Sequence, residues 1–429
     1  MNKTALAING GPPVRTSPWR ESRTIGDEET HAVLRVMQSG HLSLFQGVYN
    51  PPPPYSFHGG PEVQALEERA RGVTGAMHVV SVNSATSGLT ASVGALGLGF
   101  GDEVIVSPFT MSACAVAPLW YGAVPIFADV ERVTGCLDPL SVRDRITPRT
   151  KAIIVVHQFG IPADMNGVMG IAREYGLKVI EDCAQAWGAR YKGQGVGTIG
   201  DIGVFSFNVH KTIQCGEGGL CVTNDDELAL RLRLLRNHGE SVVEEAGYER
   251  LVNIVGSNFR MTELQAAVAR VQLEKLDALD AQRIAMVNML YDNLAGHACL
   301  VPPPRSTDRH ATYYVCPLRY LSGQSGGLPR SAFARMLRAE GIPLGEGYVK
   351  PLYLLPLFQK RIAFKNGYPW SAPENRESHP QYDQGACPNA ETLHATEMLI
   401  QPFLCHPQTM DDVGDIVAAV DKVLSSLPS

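Results

Sequence analysis

The sequence predicts an α/β fold, a sheet with helices on both faces. Between residues 75 and 223, short runs rich in β-branched residues alternate with stretches whose apolar residues recur at helical spacing. Turn residues bound each run, and this alternation is typical of strands joined by crossover helices. The chain of 429 residues is longer than one hydrophobic core usually organises, so we also expect a second, smaller domain.

Seven runs are predicted as strands of the large domain. They are HVVSVNS from His78, EVIVSP from Glu103, VPIFADV from Val124, TKAIIVVHQ from Thr150, LKVIEDC from Leu177, IGVFSFN from Ile202 and GGLCVTN from Gly218. Helices are predicted after Ser84 and after Asp164, and a glycine ends each of them.

The stretch TELQAAVARVQLEKLDALDAQRIAMVNMLYDNLAG after Thr262 is periodic and has no proline or internal glycine. One or two consecutive helices should therefore leave the core there. The remaining sequence predicts a strand from Thr312, a helix from Ser331 and a closing helix, DIVAAVDKVLSSL. We divide the chain into a large domain, residues 1–270, and a smaller α+β domain, residues 271–429.

Two segments fit no regular element, residues 42–63 and residues 365–391. Loops of this length in a compact enzyme are usually functional or disordered. Their aromatic residues and prolines favour an ordered segment that covers a site.

The composition excludes several classes of protein. Hydrophobic residues make up 45% of the chain and charged residues 19%, which is the balance of a packed globular enzyme. Basic residues number 37 against 43 acidic ones and form no stripe, so nucleic acid is not an expected partner. The nine cysteines show no CxxC pair or metal spacing, and we interpret them as reduced thiols. No stretch approaches the roughly 18 apolar residues of a membrane span, so we expect a soluble cytoplasmic protein without membrane association.

The first strand-to-helix turn, VNSATSG at residues 82–88, predicts either an anion site or a helix cap. Small hydroxyl residues and free N–H groups at a helix N-terminus bind anions such as phosphate. Ser84 or Thr86 would serve equally as an ordinary N-cap, and the turn taken alone favours the cap.

The strand LKVIEDC ends in two adjacent carboxylates, Glu181 and Asp182. Ligands of open α/β sheets bind at the carboxyl edge of the strands, and a buried carboxylate there needs a cationic partner. A protonated pyridine nitrogen is such a partner, and a carboxylate that keeps it protonated makes the ring an electron sink, as pyridoxal phosphate (PLP) chemistry requires. The alternative is that Asp182 caps a helix or pairs with an arginine.

The segment FSFNVHKTIQCGEGG places Ser206, Lys211 and a glycine-rich turn just past the end of a strand. A desolvated lysine loses its proton readily and becomes a nucleophile for a Schiff base. A single lysine is by default a solvated surface residue. The order of phosphate cradle, acid, hydroxyl and lysine on successive strand ends favours a cofactor lysine.

With these motifs the chain resembles the DegT/StrS-type family of PLP-dependent aminotransferases, which act on keto-sugars and keto-cyclitols. The resemblance rests on EDCAQAWGA, FSF…K…CGEGG and GSNFRMTELQAA, and it runs from LAINGGPPVR to the CPNAE segment at Cys387. It implies the type I PLP-transferase fold, a mostly parallel seven-stranded sheet flanked by helices with a smaller α+β C-terminal domain. It also implies a homodimer with shared active sites.

The resemblance gives roles to particular residues. Lys211 is the catalytic Schiff-base lysine, Asp182 binds the pyridine nitrogen, and Gln185 lies near the ring hydroxyl. Those that hold the phosphate are Ala85, Thr86, Ser206 and the partner subunit's Asn258.

One position departs from the family pattern. In SPFTMSA the residue that stacks on the pyridine, usually aromatic, falls at Met111. A thioether packs on a ring but gives up ring–ring geometry, so either Met111 or Phe109 covers the cofactor ring.

The resemblance implies transfer of an amino group from L-glutamate or L-glutamine to a keto-sugar or keto-cyclitol in aminosugar and antibiotic biosynthesis. The GGPPVR start, the LSLFQG…FHGGPEV loop and the CPNAE segment favour the cyclitol branch, and a nucleotide-linked 3- or 4-keto-sugar is the alternative acceptor. Sugar dehydratases similar to this family carry histidine in place of the lysine, whereas here His210 precedes a retained Lys211. A PLP-binding regulatory protein without turnover is the alternative from another class.

Four other features of the sequence indicate less about function. Residues 195–200 match GxGxxG, but a β-rich segment follows them, so a dinucleotide is not expected. No histidine or cysteine spacing suits a metal, and none is proposed. His157, at the end of a strand, either faces the cofactor or is structural. Tyr348, Lys350 and Tyr353 either contact substrate hydroxyls or anions, or belong to ordinary surface.

Overall fold

A large sheet organises the computed structural model, which describes residues 5–48, 50–243 and 254–427. The strands, in chain order, are β1 (His78–Val82), β2 (Glu103–Val106), β3 (Val124–Phe127), β4 (Thr150–Val156), β5 (Lys178–Asp182), β6 (Arg190–Tyr191), β7 (Gln194–Gly195), β8 (Ile202–Ser206), β9 (Gly219–Thr223), β10 (Leu300–Val301), β11 (Arg309–His310), β12 (Cys316–Tyr320), β13 (Gly345–Glu346) and β14 (Met398–Gln401). The α-helices are α1 (Asp27–Ser39), α2 (Pro61–Thr74), α3 (Ala85–Ala95), α4 (Ala113–Val116), α5 (Pro139–Asp144), α6 (Met165–Tyr175), α7 (Asp226–Arg236), α8 (Glu263–Leu294), α9 (Arg330–Ala339), α10 (Pro356–Gln359), α11 (Pro388–Thr392) and α12 (Met410–Ser425).

Within the described residues the large sheet has seven strands in the order β1-β9-β8-β5-β4-β2-β3. The strands from β8 to β3 in that order are parallel, and β9 is antiparallel to both β8 and β1. Each predicted strand of the large domain is present, and the mostly parallel α/β sheet is confirmed. The carboxyl ends of β1, β5 and β8 therefore lie at the same edge of the sheet.

Helices cover both faces of this sheet. Val79 of β1 packs in one apolar cluster with residues of α2 and α8, whereas the next residue, Val80, packs in another with residues of α3. Successive side chains of a strand point to opposite faces, so this split is what a sheet buried on both sides requires.

The segment after Thr262 forms one helix, α8, of 32 residues. Thr262 and Gln265 begin it with a reciprocal capping box, and α8 packs on α1, α2 and α12. The predicted domain division at residue 270 falls inside α8 and stays a prediction. The smaller sheet has the order β10-β12-β14-β13, and its buried residues share a cluster with those of the large sheet. In the described ranges, no helix combines the length and apolar character needed to cross a membrane.

The segment at residues 365–391 is ordered and covers the outer edge of the large sheet. Tyr382 is buried and donates to the carbonyl of Pro125 on β3 at 2.7 Å, and Asn375 donates to the carbonyl of Gly122 at 2.9 Å. Because β3 is an edge strand, its unpaired backbone groups need such partners.

Candidate active site

The carboxyl ends of β8 and β1 bring Ser206 beside the start of α3. Ser206 pairs with Gly219 across the sheet, and a side chain on Gly219 would come within 2.6 Å of the Ala85 nitrogen. The Ser206 hydroxyl accepts a hydrogen bond from the Asn208 nitrogen at 3.1 Å, so its own proton is available to an acceptor.

The first turn of α3 is both capped and open to an anion. Ser84 is the N-cap, and its hydroxyl oxygen accepts from the Ser87 nitrogen at 3.1 Å. The cap leaves the N–H groups of Ala85 and Thr86 at the helix end without an intrahelical acceptor. The two sequence interpretations of this turn are therefore compatible.

Asp182 ends β5 as a buried carboxylate with two donors. Its Oδ2 accepts from the Cys114 thiol at 2.9 Å, and its Oδ1 accepts from the Ala184 nitrogen at 3.0 Å. Burial and the Asp182 charge raise the pKa of Cys114 well above its ordinary value, so the thiol stays protonated and donates. No spacing pattern marks Cys114 in the sequence, and only the fold brings it to Asp182.

Lys211 is a largely enclosed lysine at the same edge. Its Nζ lies 4.4 Å from the ring centroid of Tyr314. No pattern in the sequence identifies Tyr314 as a neighbour of Lys211. Burial lowers the pKa of Lys211, while the nearby Asp182 carboxylate opposes part of that decrease. A larger share of neutral amine, the nucleophilic form, is the consequence.

Tyr314 lies within the strand that the sequence predicts from Thr312. That strand begins only at Cys316, because the N–H groups of Thr312 and Tyr314 donate to Gly160 and Phe159 at 3.0 and 2.8 Å. Tyr313 between them adopts a left-handed φ of 54°. The irregular stretch turns the Tyr314 ring toward Lys211.

Gln185 makes hydrogen bonds to two distant parts of the chain, at Phe159 and Tyr348. Its Oε1 accepts from the Phe159 nitrogen at 2.9 Å, and its Nε2 donates to the Tyr348 hydroxyl at 3.2 Å. Burial raises the pKa of Tyr348 to about 12, so the phenol stays protonated. Tyr353 is instead buried in the core, where it donates to Glu391.

Met111 and Phe109 differ in what they offer a ligand. Phe109 has no accessible surface and packs edge-on against Phe159 and Tyr348, with centroid distances of 6.3 and 5.8 Å. Met111 is 65% exposed. Of the two, the Met111 side chain is the one that a ligand can reach.

Asn258 lies on a segment next to the start of α3, because residues 255–257 and 259 line one pocket with Thr86. It is exposed; within the described part of the chain its side-chain oxygen accepts from Arg260 Nε at 2.8 Å, and its carbonyl accepts from Asn83 at 3.4 Å. The predicted residues that meet at the sheet edge are Ala85, Thr86, Asp182, Gln185, Ser206 and Lys211.

Glu181 has no accessible surface, and the chain itself occupies both its oxygens. Its four donors are Gly197 N at 2.9 Å, Ile199 N at 2.7 Å, Gly200 N at 2.6 Å and His157 Nε2 at 3.0 Å. His157 Nδ1 accepts from the Ala163 nitrogen at 3.1 Å, which leaves the proton on Nε2. His157 is therefore structural, and within the GxGxxG match the N–H groups of Gly197, Ile199 and Gly200 bind an internal carboxylate. Cys183 lies near His157 and Glu181, so the three residues could be considered as metal ligands. The polar atoms of His157 and Glu181 are already engaged in the hydrogen bonds given above.

Comparison with known proteins decides the family. The DegT/DnrJ/EryC1/StrS aminotransferase family matches residues 55–420. The chain belongs to this family. The predicted membership and aminotransferase class are confirmed.

Relatives of this aminotransferase cover between 71% and 98% of its length. L-glutamine:2-deoxy-scyllo-inosose aminotransferase of Streptoalloteichus tenebrarius is 34% identical, over 98% of this chain and 97% of the relative. UDP-N-acetyl-3-dehydro-alpha-D-glucosamine 3-aminotransferase of Acidithiobacillus ferrooxidans is 39% identical, over 71% and 79%. The crystal structure of DesV from S. venezuelae is 30% identical with a TM-score of 0.77, over 94% of this chain and 95% of DesV. The predicted type I fold is confirmed.

A cavity of about 620 Å³ opens beside Lys211 in the aminotransferase. Lys211, Gln214, Arg283 and Tyr314 form its inner wall. The rest of the lining comes from residues 20–25, Val209, His210, Val315 and parts of the segment 402–408. Its wall carries four cationic side chains and one carboxylate. The cations are Arg20, Arg23, Lys211 and Arg283, and the carboxylate is Glu21. The cavity is large enough for an amino acid or a six-membered ring.

Proposed function

We propose that this aminotransferase uses pyridoxal phosphate to move an amino group from L-glutamine or L-glutamate to a ketone on a cyclitol or sugar. One observation carries the proposal: a half-buried lysine with lowered pKa lies at the same sheet edge as a buried carboxylate and the open N-terminus of α3. The family supports the reaction class.

The donor set fits the cofactor group by group. The Lys211 amine suits an aldehyde, the Asp182 carboxylate suits a protonated ring nitrogen, and the Gln185 amide suits the ring hydroxyl. For the phosphate, the matching donors are the N–H groups of Ala85 and Thr86 and the Ser206 hydroxyl. When bound, pyridoxal phosphate supplies an aldehyde for the amino group and a ring that withdraws electrons from the substrate carbon.

The chain's own residues position charges and move one proton. In its neutral form, Lys211 Nζ would take the proton from the carbon that bears the donor nitrogen and pass it to the cofactor carbon that receives this nitrogen; in the second half it would move a proton from that cofactor carbon to the ketone carbon of the acceptor. Cys114 and the Ala184 nitrogen orient the Asp182 carboxylate through their two hydrogen bonds. Met111 covers one side of the ring site, because Phe109 is closed into the core.

A keto-cyclitol is the acceptor we favour. The cyclitol relative from S. tenebrarius aligns with 98% of this chain, and its name includes L-glutamine as donor. The relative from A. ferrooxidans, named for a nucleotide-linked 3-keto-sugar, supports the alternative acceptor over 71% of the chain.

We also propose a homodimer whose partners share their sites. The surface beside Thr86 carries exposed apolar side chains, with Trp120 65% and Val255 77% exposed. Exposed apolar patches of this kind mark association surfaces. A second copy on this surface would bring the partner's Asn258 toward the phosphate donors of this chain. Asn258→Ala should then weaken cofactor binding at least several-fold, and unchanged affinity would remove the main support for sharing.

The test is a donor and acceptor screen on the purified, PLP-loaded protein. We expect a visible absorption band that shifts when L-glutamine or L-glutamate is added. We also expect an aminated 2-deoxy-scyllo-inosose by mass spectrometry. A band that no amino donor shifts would favour a binding protein without turnover, and amination only of a nucleotide-linked ketone would establish the alternative acceptor.

A further inference from the structure

Arg283 on α8 is a buried guanidinium with few partners. It is 8% exposed and lines the cavity beside Lys211. Its Nη1 donates to the Thr212 hydroxyl at 2.5 Å, and its Nε is buried without a partner among the described residues. A guanidinium carries five N–H donors, and buried donors are normally paired. The site therefore has donors for an acceptor that the described chain does not supply.

The neighbouring carboxylates do not fill this role. Asp280, one turn earlier on α8, attracts Arg283, but its Oδ1 has no hydrogen-bond partner in the part of the chain that is described. Burial raises the pKa of Asp280 to about 7 despite Arg283, so the carboxyl is partly neutral at physiological pH. Glu21, the acid of the cavity wall, pairs with Arg23 at 3.0 Å. Positive charge on Arg283 is thus left facing the cavity.

We propose that Arg283 binds the carboxylate of the amino donor in the cavity beside Lys211. The inference rests on the proposed aminotransferase function and names how its donor is recognised. A donor α-carboxylate is attached to the same carbon as the reacting amino group, so it must lie close to Lys211 Nζ. A planar guanidinium binds a carboxylate through two parallel hydrogen bonds.

The position of Arg283 meets this requirement. Its hydrogen-bond partner, Thr212, is the residue after Lys211. Tyr314 lines the same cavity as both cations: Lys211 Nζ is 4.4 Å from its ring centroid, and the Arg283 charge opposes the rise that burial causes in the Tyr314 pKa. Both cations also line the inner wall of one cavity.

A phosphate of a nucleotide-linked acceptor is a weaker match for this arginine. The phosphate of such a sugar is several bonds from a ketone at ring position 3 or 4. A phosphate would therefore lie farther from Lys211, toward the more exposed Arg20 and Arg23, whose side chains are 52% and 81% exposed.

The experiment compares L-glutamine with L-glutaminamide, in which a carboxamide replaces the α-carboxylate. Dissociation constants come from the absorption shift of the PLP-loaded protein. Wild type should prefer L-glutamine by about 100-fold, the effect expected for one buried charge-assisted pair. Arg283→Gln should lose most of this preference, and Arg283→Lys should recover part of it. Arg23→Gln is the matched control, because Arg23 lines the same cavity, is paired with Glu21 and should leave the preference unchanged.

A second measurement separates recognition from folding. Borohydride trapping of the cofactor on Lys211, followed by peptide mass spectrometry, should succeed in Arg283→Gln as in wild type. The proposal fails if Arg283→Gln keeps the full preference for L-glutamine, if wild type has none, or if the loss is confined to nucleotide-linked acceptors. Failure of the proposed function is distinct, because wild type itself would then trap the cofactor and transfer no amino group from any donor, and the inference would fall with it.

Discussion

Two adjacent carboxylates at the end of β5 have opposite surroundings. Glu181 accepts four hydrogen bonds from its own chain and has no accessible surface. Asp182 accepts two, from Cys114 and Ala184, and acts electrostatically on Lys211. Consecutive strand residues point to opposite faces, so one face of the sheet receives a structural anchor and the other a reactive group. Both carboxylates are buried, so burial does not distinguish Glu181 from Asp182. They differ in hydrogen bonding, because Asp182 keeps capacity to accept further hydrogen bonds that Glu181 has already used.

The largest expected effect lies on the reactive face. Lys211→Ala should lower the rate of amino transfer by at least about 10³-fold, because it removes the base that moves the proton. Its melting temperature should stay close to that of wild type, since Lys211 Nζ is held mainly against the Tyr314 ring. Steady-state rates and thermal melts measure the two outcomes.

Lys151→Ala is the control for that variant. Lys151 is an exposed lysine of β4 that does not line the cavity beside Lys211, so the variant should keep wild-type rates. A Lys211→Ala protein that still transaminates would contradict the role of the reactive face.

On the structural face, Glu181→Gln should destabilise the fold by about 3 kcal/mol. The amide nitrogen would face N–H groups that now donate to a carboxylate, and His157 would lose a charged acceptor. Urea unfolding measures the change, and the rate per folded molecule should remain near wild type. A stable Glu181→Gln protein with a large loss of rate would contradict the structural role of Glu181 and assign it a role in the reaction.

Asp182→Asn should show the complementary pattern. We expect a loss of about 100-fold in rate, since a charge that stabilises the reacting group is removed, with a stability change below about 1 kcal/mol. Cys114→Ser, which keeps a donor to Oδ2, should retain most of the activity. An equally large loss in Cys114→Ser would mean that packing around the thiol, and not the carboxylate charge, limits the rate.

The sequence predicts one half of this site better than the other. β-branched runs between turn residues locate the strands correctly, and strand-end positions bring Asp182, Ser206 and Lys211 together because parallel strands end at one edge. Cys114 and Arg283 come from distant elements and carry no spacing pattern, so only the fold shows their contacts. Their contribution depends on tertiary packing, which local periodicity does not encode.

The strand predicted from Thr312 shows the same limit. Its composition favours a strand from its first residue, but the backbone before Cys316 donates hydrogen bonds to Phe159 and Gly160, which follow β4. Tertiary hydrogen bonds override β-propensity there. This difference affects the site, because the irregular stretch before Cys316 contains Tyr314, whose ring lies beside Lys211.

Asp280 extends the comparison to a carboxyl with still fewer donors, and it gives the smallest predicted effect. Burial raises its pKa from 3.8 to about 7, so the folded state binds the proton more tightly than the unfolded state. Its contribution to stability is full below about pH 4 and is lost as pH rises through about 7. Asp280→Asn should match wild type at pH 4 and exceed its free energy of unfolding by about 2 kcal/mol at pH 8, at about 1.4 kcal/mol per pKa unit with allowance for relaxation. Urea unfolding at the two pH values measures this difference. A variant less stable than wild type at pH 8 would identify Asp280 as the true partner of Arg283, and the cavity would then lose its uncompensated charge.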